Sequence, residues 1–380
     1  MRSIKVKETA CRTLSTFQAT LCGPLCRFLF ILILLMTFPN FVYTADTVPA
    51  APAKVDNPSS SWKETKLILD THSYSWCGDR HIVFGGDNFG KSGKGIRIYD
   101  LGSGVIEDIT NDPKHKNISC TADGRYVVFT DDFIMNKKGS LFVYDRNTKI
   151  IKKMYEMDLF LLRHIDSMPL SPSANYLLGP DLSGVQKYIL PGGKEVKLLP
   201  YKTGVNHIPE FDIYQWSANE KRIFLFDRKG GRLTIRDLEK NTDKNLSFRV
   251  NNFWLRNVRI TKDNKLYVDA MSGSDMGDGS ITNLYLFNLA NPDKHELLAS
   301  GIQYYDTDDN GNVVFSKKLK DRHVIYYLAR GGKQKRILKE IIVPRNIGIC
   351  PSITNDGKGI IFSIPTSPRG RREVTILIRN

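Results

Sequence analysis

Three stretches of this 380-residue sequence carry side chains with the types and spacing of chemical sites. DTDDNG at 306–311 matches the opening of a calcium loop, because Asp306, Asp308 and Asn310 are spaced so that their oxygens can converge. The bidentate glutamate expected six residues past Gly311 is missing, and Lys317 stands in its place. The corresponding position elsewhere in the chain is a plain hairpin turn, so the calcium candidate is weak and no cofactor or metal is expected. SGSDMGDGS at 272–280, with Asp275 and Asp278, is expected to be a long solvated loop. His72, His164 and His207 raise the question of a divalent metal, but the seven histidines are scattered rather than clustered. No GxSxG elbow presents a nucleophilic serine. Gly85-Gly86, Gly230-Gly231 and Gly331-Gly332 sit at turns without the following helix of a phosphate loop. No catalytic residue is assigned, and the chain is expected not to be an enzyme.

The elements that must hold these residues announce themselves as a repeat. A Ser or Thr, a polar turn and a short β-rich run recur as TADGRYVVF at 121–129, SPSANYLLG at 171–179 and SANEKRIFLF at 217–226. They return as TKDNKLYVDA at 261–270, TDDNGNVVF at 307–315 and TNDGKGIIF at 354–362, with WCGDRHIVF at 76–84 as a first copy lacking the hydroxyl. Anchors at 76, 121, 171, 217, 261, 307 and 354 are spaced by 45, 50, 46, 44, 46 and 47 residues. A second alternating run follows in each copy and ends polar, as in IRIYD (Asp100), LFVYD (Asp145), LTIRD (Asp237) and LYLFN (Asn288). A third run is rich in lysine, as in KIIKKMY, KEVKLL and KQKRIL. Four strands per copy at this period predict an all-β, seven-bladed β-propeller of four-stranded antiparallel blades over residues 62–380. The seventh copy lacks its outermost strand, and WKETKLILDTH at 62–72 has the right pattern to supply it and close the ring.

The hairpin phrases resemble the WD-like propeller repeat of the TolB type. Tyr214, Gln215, Trp216 and Ser217 fit the lead-in of that repeat, and Asp123-Gly124-Arg125 and Asp356-Gly357-Lys358 fit its turn. The resemblance spans residues 62–380 at the level of the repeat, so it implies fold rather than function. TolB has an additional α/β domain before a six-bladed ring, whereas this chain has a linker there and seven copies. A role in outer-membrane integrity is therefore not carried over. Some seven-bladed propellers that cleave acidic oligosaccharides hold a divalent metal through several histidines, and this sequence lacks their clustered histidine motifs.

Upstream of the repeats, Arg27 precedes the apolar run FLFILILLMTF at 28–38, which Pro39 and Asn40 end. Residues 1–45 read as a signal peptide or signal anchor, and 46–61 (DTVPAAPAKVDNPSSS) as a flexible linker. The protein is expected to be exported, periplasmic or extracellular, with membrane anchoring through the apolar segment as an alternative. Of the formal net charge of +15, residues 1–45 hold +4, which leaves +11 on the body. Such a body favours acidic partners. Cys77, Cys120 and Cys350 are an odd set in the body, expected to be buried or lone thiols rather than a disulfide framework.

Propellers bind at the mouth of the central channel, where each innermost strand begins. About four residues before each anchor lie His72, Asn117, Asp166 or Ser167, Asp212, Asn257, Gln303 and Cys350. Arg163, His164, His207, Trp254 and Arg256 stand nearby and offer charge and stacking surface. The expectation is a monomeric, non-catalytic binding platform for a protein or an anionic glycan in the cell envelope. An anionic membrane surface is a further possible partner, and no specific nucleic acid is expected. A lyase or hydrolase acting on anionic oligosaccharides is the alternative, and a purely structural envelope scaffold is the second. Sequons at Asn117 and Asn245 complete the inventory. Because Asn117 falls on the channel ring, mass spectrometry of protein secreted by a eukaryotic host should find it unmodified. A glycan mapped there would displace the ring.

Overall fold

The computed structural model describes residues 61–379, apart from 72, 86–94, 132–138, 158–169, 181–183, 191–193, 201–212, 218, 228–230, 248–252, 273–280, 321, 343–346 and 366–370. The chain divides into two units, residues 1–54 and 55–380. The expected signal segment (1–45) and residues 46–60 of the expected linker lie outside the described residues, and the fold below belongs to the second unit.

All described elements are strands. After β1 (Trp62–Asp70), blade one holds β2 (Ser73–Cys77), β3 (His81–Gly85), β4 (Ile96–Asp100) and β5 (Ile106–Thr110). Blade two holds β6 (Lys116–Cys120), β7 (Tyr126–Thr130), β8 (Gly139–Asp145) and β9 (Ile150–Met157). Blade three has β10 (Tyr176–Pro180), β11 (Gly184–Ile189) and β12 (Lys194–Pro200). Blade four has β13 (Ile213–Trp216), β14 (Arg222–Asp227), β15 (Arg232–Asp237) and β16 (Thr242–Ser247). Blade five follows with β17 (Phe253–Ile260), β18 (Lys265–Ser272), β19 (Ile281–Asn288) and β20 (Asn291–Ser300). Blade six contains β21 (Tyr304–Thr307), β22 (Val313–Lys318), β23 (His323–Leu328) and β24 (Arg336–Ile341). Blade seven contains β25 (Ser352–Ile353), β26 (Gly359–Pro365) and β27 (Arg371–Arg379). The seven sheets make a seven-bladed β-propeller, as the repeat predicts. Among the described residues blade three has three strands, and its innermost position is marked by a single bridge, Leu170 to Leu177.

The ring closes as the sequence implies. β1 is the outermost strand of blade seven, and it pairs antiparallel with β27 from Trp62 opposite Arg379 to Asp70 opposite Arg371.

Each apolar cluster lies between neighbouring blades rather than inside one. Phe224, Phe226 and Leu233 of blade four pack with Val258, Leu266, Val268 and Phe287 of blade five. Phe84 and Ile82 of blade one pack with Ile361, Val374 and Ile376 of blade seven. Phe84, Phe129, Phe226, Phe315 and Phe362 recur in the second strands of five blades and are buried. Burying each stabilises the pairing of two blades by about 1.5–3 kcal/mol.

The recurring Thr-x-Asp-Gly phrase is turn chemistry. The Thr121 hydroxyl donates to Asp123 at 2.6 Å, and it accepts the N–H of Tyr126 at 3.0 Å. Thr261 with Asp263 and Thr354 with Asp356 repeat the hydroxyl-to-carboxylate bond at 2.5 and 2.7 Å. The last turn residue must take positive φ, and Gly124 does so at 73°. A side chain on Gly124 would also meet the Cys77 carbonyl oxygen at 2.8 Å.

Two anchors sit one residue later than the spacing suggests. In blade six the N–H of Asp308, not of Thr307, closes the turn on Asn312 at 3.1 Å, so a carboxylate replaces the hydroxyl. In blade one Cys77 pairs with His81 across the turn and so occupies the anchor position in place of Trp76.

The polar end of the third strand caps the next turn. Asp100 accepts the N–H groups of Gly102 and Ser103, and Asp237 accepts those of Glu239 and Lys240. Burial pushes the Asp100 carboxyl up, but the N–H groups of Ser103 and Gly102 and the Arg80 guanidinium outweigh it and hold the group at about 2.

The closing ladder yields the first structural test. Deleting residues 46–71 should unfold the ring or lower its melting temperature sharply, read by circular dichroism. A deletion variant that melts like the intact chain would contradict the closure.

Candidate functional site

Antiparallel alternation gives the propeller two faces. The turns from first to second and third to fourth strand gather on one face. The links from second to third strand, and from each blade to the next, gather on the other. Among the described residues, the innermost strands that carry the expected Asn117, Trp254, Arg256 and Asn257 begin at this second, linking face.

The inner wall is laced by side chains reaching from blade to blade. Gln215 of β13 donates through Nε2 to the Ile260 carbonyl at 2.8 Å and accepts the Ile260 N–H at 3.1 Å. Arg259 of β17 lies 3.5 Å from Asp306 of β21. Asp306 in turn accepts the Ser352 hydroxyl at 2.6 Å and the Ile353 N–H at 3.1 Å, both from blade seven. Trp76 of blade one donates its indole N–H to the Ser352 carbonyl at 3.3 Å. On the turn face Glu220 of blade four accepts the N–H and hydroxyl of Ser173 in blade three.

Between blades one and two the link is covalent. Cys77 and Cys120 form a disulfide across 43 residues of sequence, with Cα atoms 5.1 Å apart. The lone-thiol reading is corrected for these two residues. The two cysteines are both in innermost strands, at or next to the turn anchors of adjacent repeats, so the repeat itself brings them together. Cys350 remains a thiol and is exposed.

The calcium candidate is also resolved. Asp308 spends its carboxylate on the N–H groups of Asn310 and Asn312 and on the Asn312 amide, at 2.9, 2.7 and 2.6 Å. Asp306 points instead to blades five and seven. Asp306, Asp308 and Asn310 therefore do not form one ligand set; Asp308 is a turn cap and Asp306 a seam latch. Burial raises the Asp308 carboxyl above the usual range, against the lowering pull of the Asn312 hydrogen bonds. Among the described residues no group of three or more His, Cys, Asp and Glu side chains is placed to hold a metal.

Of the channel-mouth residues, His72, Arg163, His164, Asp166, Ser167, His207 and Asp212 lie outside the described residues, as do Asp275 and Asp278. Asn117 falls on β6, and Trp254, Arg256 and Asn257 on β17, where the backbone alone is described. Gln303 is half-buried, donates its backbone N–H to the Ser316 carbonyl at 2.8 Å, and holds a buried Oε1 without a hydrogen-bond partner.

Of the basic run Arg369, Arg371 and Arg372, Arg369 lies outside the described residues, and Arg371 and Arg372 begin β27 rather than a loop. Arg372 stands in phase with Val374 and Ile376 on that strand, and Arg97 stands in phase with Tyr99 on β4. Tyr99, Val374 and Ile376 all belong to the cluster between blades seven and one. The signal was present in IRIYD and RREVTILIR: an arginine at an inward position of the alternation.

No family model matches the sequence, and no curated protein matches it. Solved structures do. An oligogalacturonate lyase in complex with manganese matches at 10% identity over 84% of this chain and 98% of its own, with a TM-score of 0.56. The oligogalacturonate lyase of Vibrio parahaemolyticus matches at 11% identity over 84% of this chain and 97% of its own, again with 0.56. At this identity the likeness is one of fold alone. TolB from Acinetobacter baumannii is also among the matches, at 11% identity over 71% of this chain and 65% of its own, with 0.46. The expected TolB-type resemblance, which implied fold rather than function, agrees with the propeller described above.

These comparisons correct one expectation. The chain was expected not to be an enzyme, but two of the structures that share its fold are enzymes, so the absence of sequence motifs does not place it outside catalysis.

The reassignment of Asp308 has a direct check. Melting temperatures in calcium and in chelator should agree, and Asp308→Ala should cost about 1–3 kcal/mol in both conditions, since three bonds to the turn lose their acceptor. A calcium-dependent rise in melting temperature that Asp308→Ala abolishes would restore the metal site.

Proposed function

We propose that the propeller is an exported module that binds anionic glycans on its linking face and around its rim. One observation carries the reading: the positive charge of the body is displayed rather than neutralised. Among the described residues Lys152, Lys194, Lys197, Lys333 and Lys335 are exposed on or beside outer strands and join no ion pair with another described residue. Not every rim lysine is free in this way, because Lys149 is held by Glu107 at 2.5 Å. Recurrence on several blades spreads positive potential around the ring, which draws in acidic polymers.

Export is supported by the basic and apolar pattern before residue 39 and by the Cys77–Cys120 disulfide, which suits an oxidising compartment. No helix among the described residues is long and apolar enough to cross a membrane. A periplasmic or extracellular location, with the apolar segment either removed or retained as an anchor, follows as part of the proposal.

A second reading is cleavage of an acidic oligosaccharide at the same face. The fold shared with two oligogalacturonate lyases favours it, since those enzymes are named for an oligomer of galacturonate, an acidic sugar. Incubation with polygalacturonate, followed by ultraviolet absorbance of an unsaturated product, separates cleavage from binding.

The binding reading is tested by retention on an immobilised polygalacturonate matrix. Retention should weaken steeply as salt shortens the Debye length to about 8 Å and below. Replacing Lys333, Lys335 and Arg336 with Ser should lower the salt needed for elution. No retention at low salt would sink the glycan reading and leave a protein partner to be sought by pull-down.

A further inference from the structure

The seam between blades seven and one holds two arginines that nothing in the fold requires to be charged. Arg97, on the third strand of blade one, lies with its guanidinium 4.7 Å over the Phe84 ring. Phe84 belongs to the cluster shared with Ile361, Val374 and Ile376 of blade seven, so Arg97 faces that blade. Arg372, on the third strand of blade seven, donates through Nη1 to the Ser363 hydroxyl at 3.0 Å. It stands in phase with Val374 and Ile376, so it faces blade one. Each guanidinium enters the seam at the strand end nearest the linking face, because β4 and β27 both begin there.

Their surroundings suit an anion. Arg97 and Arg372 are both half-buried, and the Nε of each is fully buried without a hydrogen-bond partner. Neither forms an ion pair with a described carboxylate. Glu373, the carboxylate beside Arg372 in sequence, projects to the other side of its strand and is held by Lys66 at 2.6 Å. Tyr74 of the innermost strand completes the wall; its phenol is raised by burial, with Ser363 and Arg372 pulling it back. Each arginine leaves a buried N–H donor unsatisfied in an apolar seam, and a bound anion relieves that cost while meeting both charges.

We propose that Arg97 and Arg372, with the hydroxyls of Ser363 and Tyr74, form an anion subsite for a carboxylate of an acidic glycan at the seam of blades seven and one. The subsite rests on the anionic-glycan reading for the identity of its ligand, but its anion chemistry stands apart from that reading. Guanidinium forks match a planar carboxylate, so the subsite reads one uronate while the rim lysines attract the polymer without selecting it.

The test titrates the full chain with trigalacturonate and, separately, with inorganic sulfate, by calorimetry. Arg97→Gln and Arg372→Gln should each weaken both ligands at least tenfold, and Arg372→Lys should recover little, because it lacks the fork. Circular dichroism melts establish that the variants fold. If the Gln variants fail to fold, Ser363→Ala and Tyr74→Phe keep both charges, and each should weaken sulfate about threefold. Unchanged affinity in the folded arginine variants, or in both milder variants, overturns the subsite. If trigalacturonate binds equally well to all variants, the subsite falls and the glycan reading survives. If sulfate binding depends on the arginines while trigalacturonate does not bind, the subsite stands and the glycan reading falls.

Discussion

The structure depends on one antiparallel ladder, that between β1 and β27. A ring of sheets, each burying its faces against its neighbours, has no stable open form of the same core. Where the ring opens, the cluster containing Phe84, Ile361, Val374 and Ile376 faces water on one side. The register from Trp62 opposite Arg379 to Asp70 opposite Arg371 joins the two ends of the propeller in one blade. It therefore makes the closing seam depend on a strand that comes first in sequence. Every other seam joins consecutive blades and is cheaper to form, because its loop is shorter.

The fold was legible in the sequence because each blade repeats the same local physics. Thr121, Thr261 and Thr354 cap their turns alike, and Gly124, Gly311 and Gly357 supply positive φ at the matching place. Where one residue type replaced another of equal function, spacing alone misplaced the anchor by one. Asp308 does with a carboxylate what Thr121 does with a hydroxyl, and so looked like a metal ligand when taken out of its repeat. Cys77 and Cys120 looked unrelated because 43 residues separate them, although the propeller sets the same part of each blade side by side.

The site was less legible for a related reason. The expected channel-mouth residues precede the repeat anchors, where no repeated phrase constrains the sequence, so the pattern gives their spacing but not what they touch. Arg97 and Arg372 show the opposite case. Their positions are fixed by strand alternation, yet an arginine at an inward position reads as an imperfection of the apolar pattern until both strands are known to face one seam. The polar latches of the inner wall, Gln215, Arg259 and Asp306, belong to the same class. They spend their groups on neighbouring blades, whereas the Nε of Arg97 and of Arg372 has no hydrogen-bond partner.

Affinity measurements cannot by themselves tell a rim interaction from recognition at the linking face. Hydrogen exchange with mass spectrometry on the intact protein, with and without an acidic oligosaccharide, reads the location directly. The account predicts ligand-induced protection at the starts of β4 and β27 and in the links around them, with the turn face unchanged. Protection confined to the turn face, or to the outer strands alone, would contradict it.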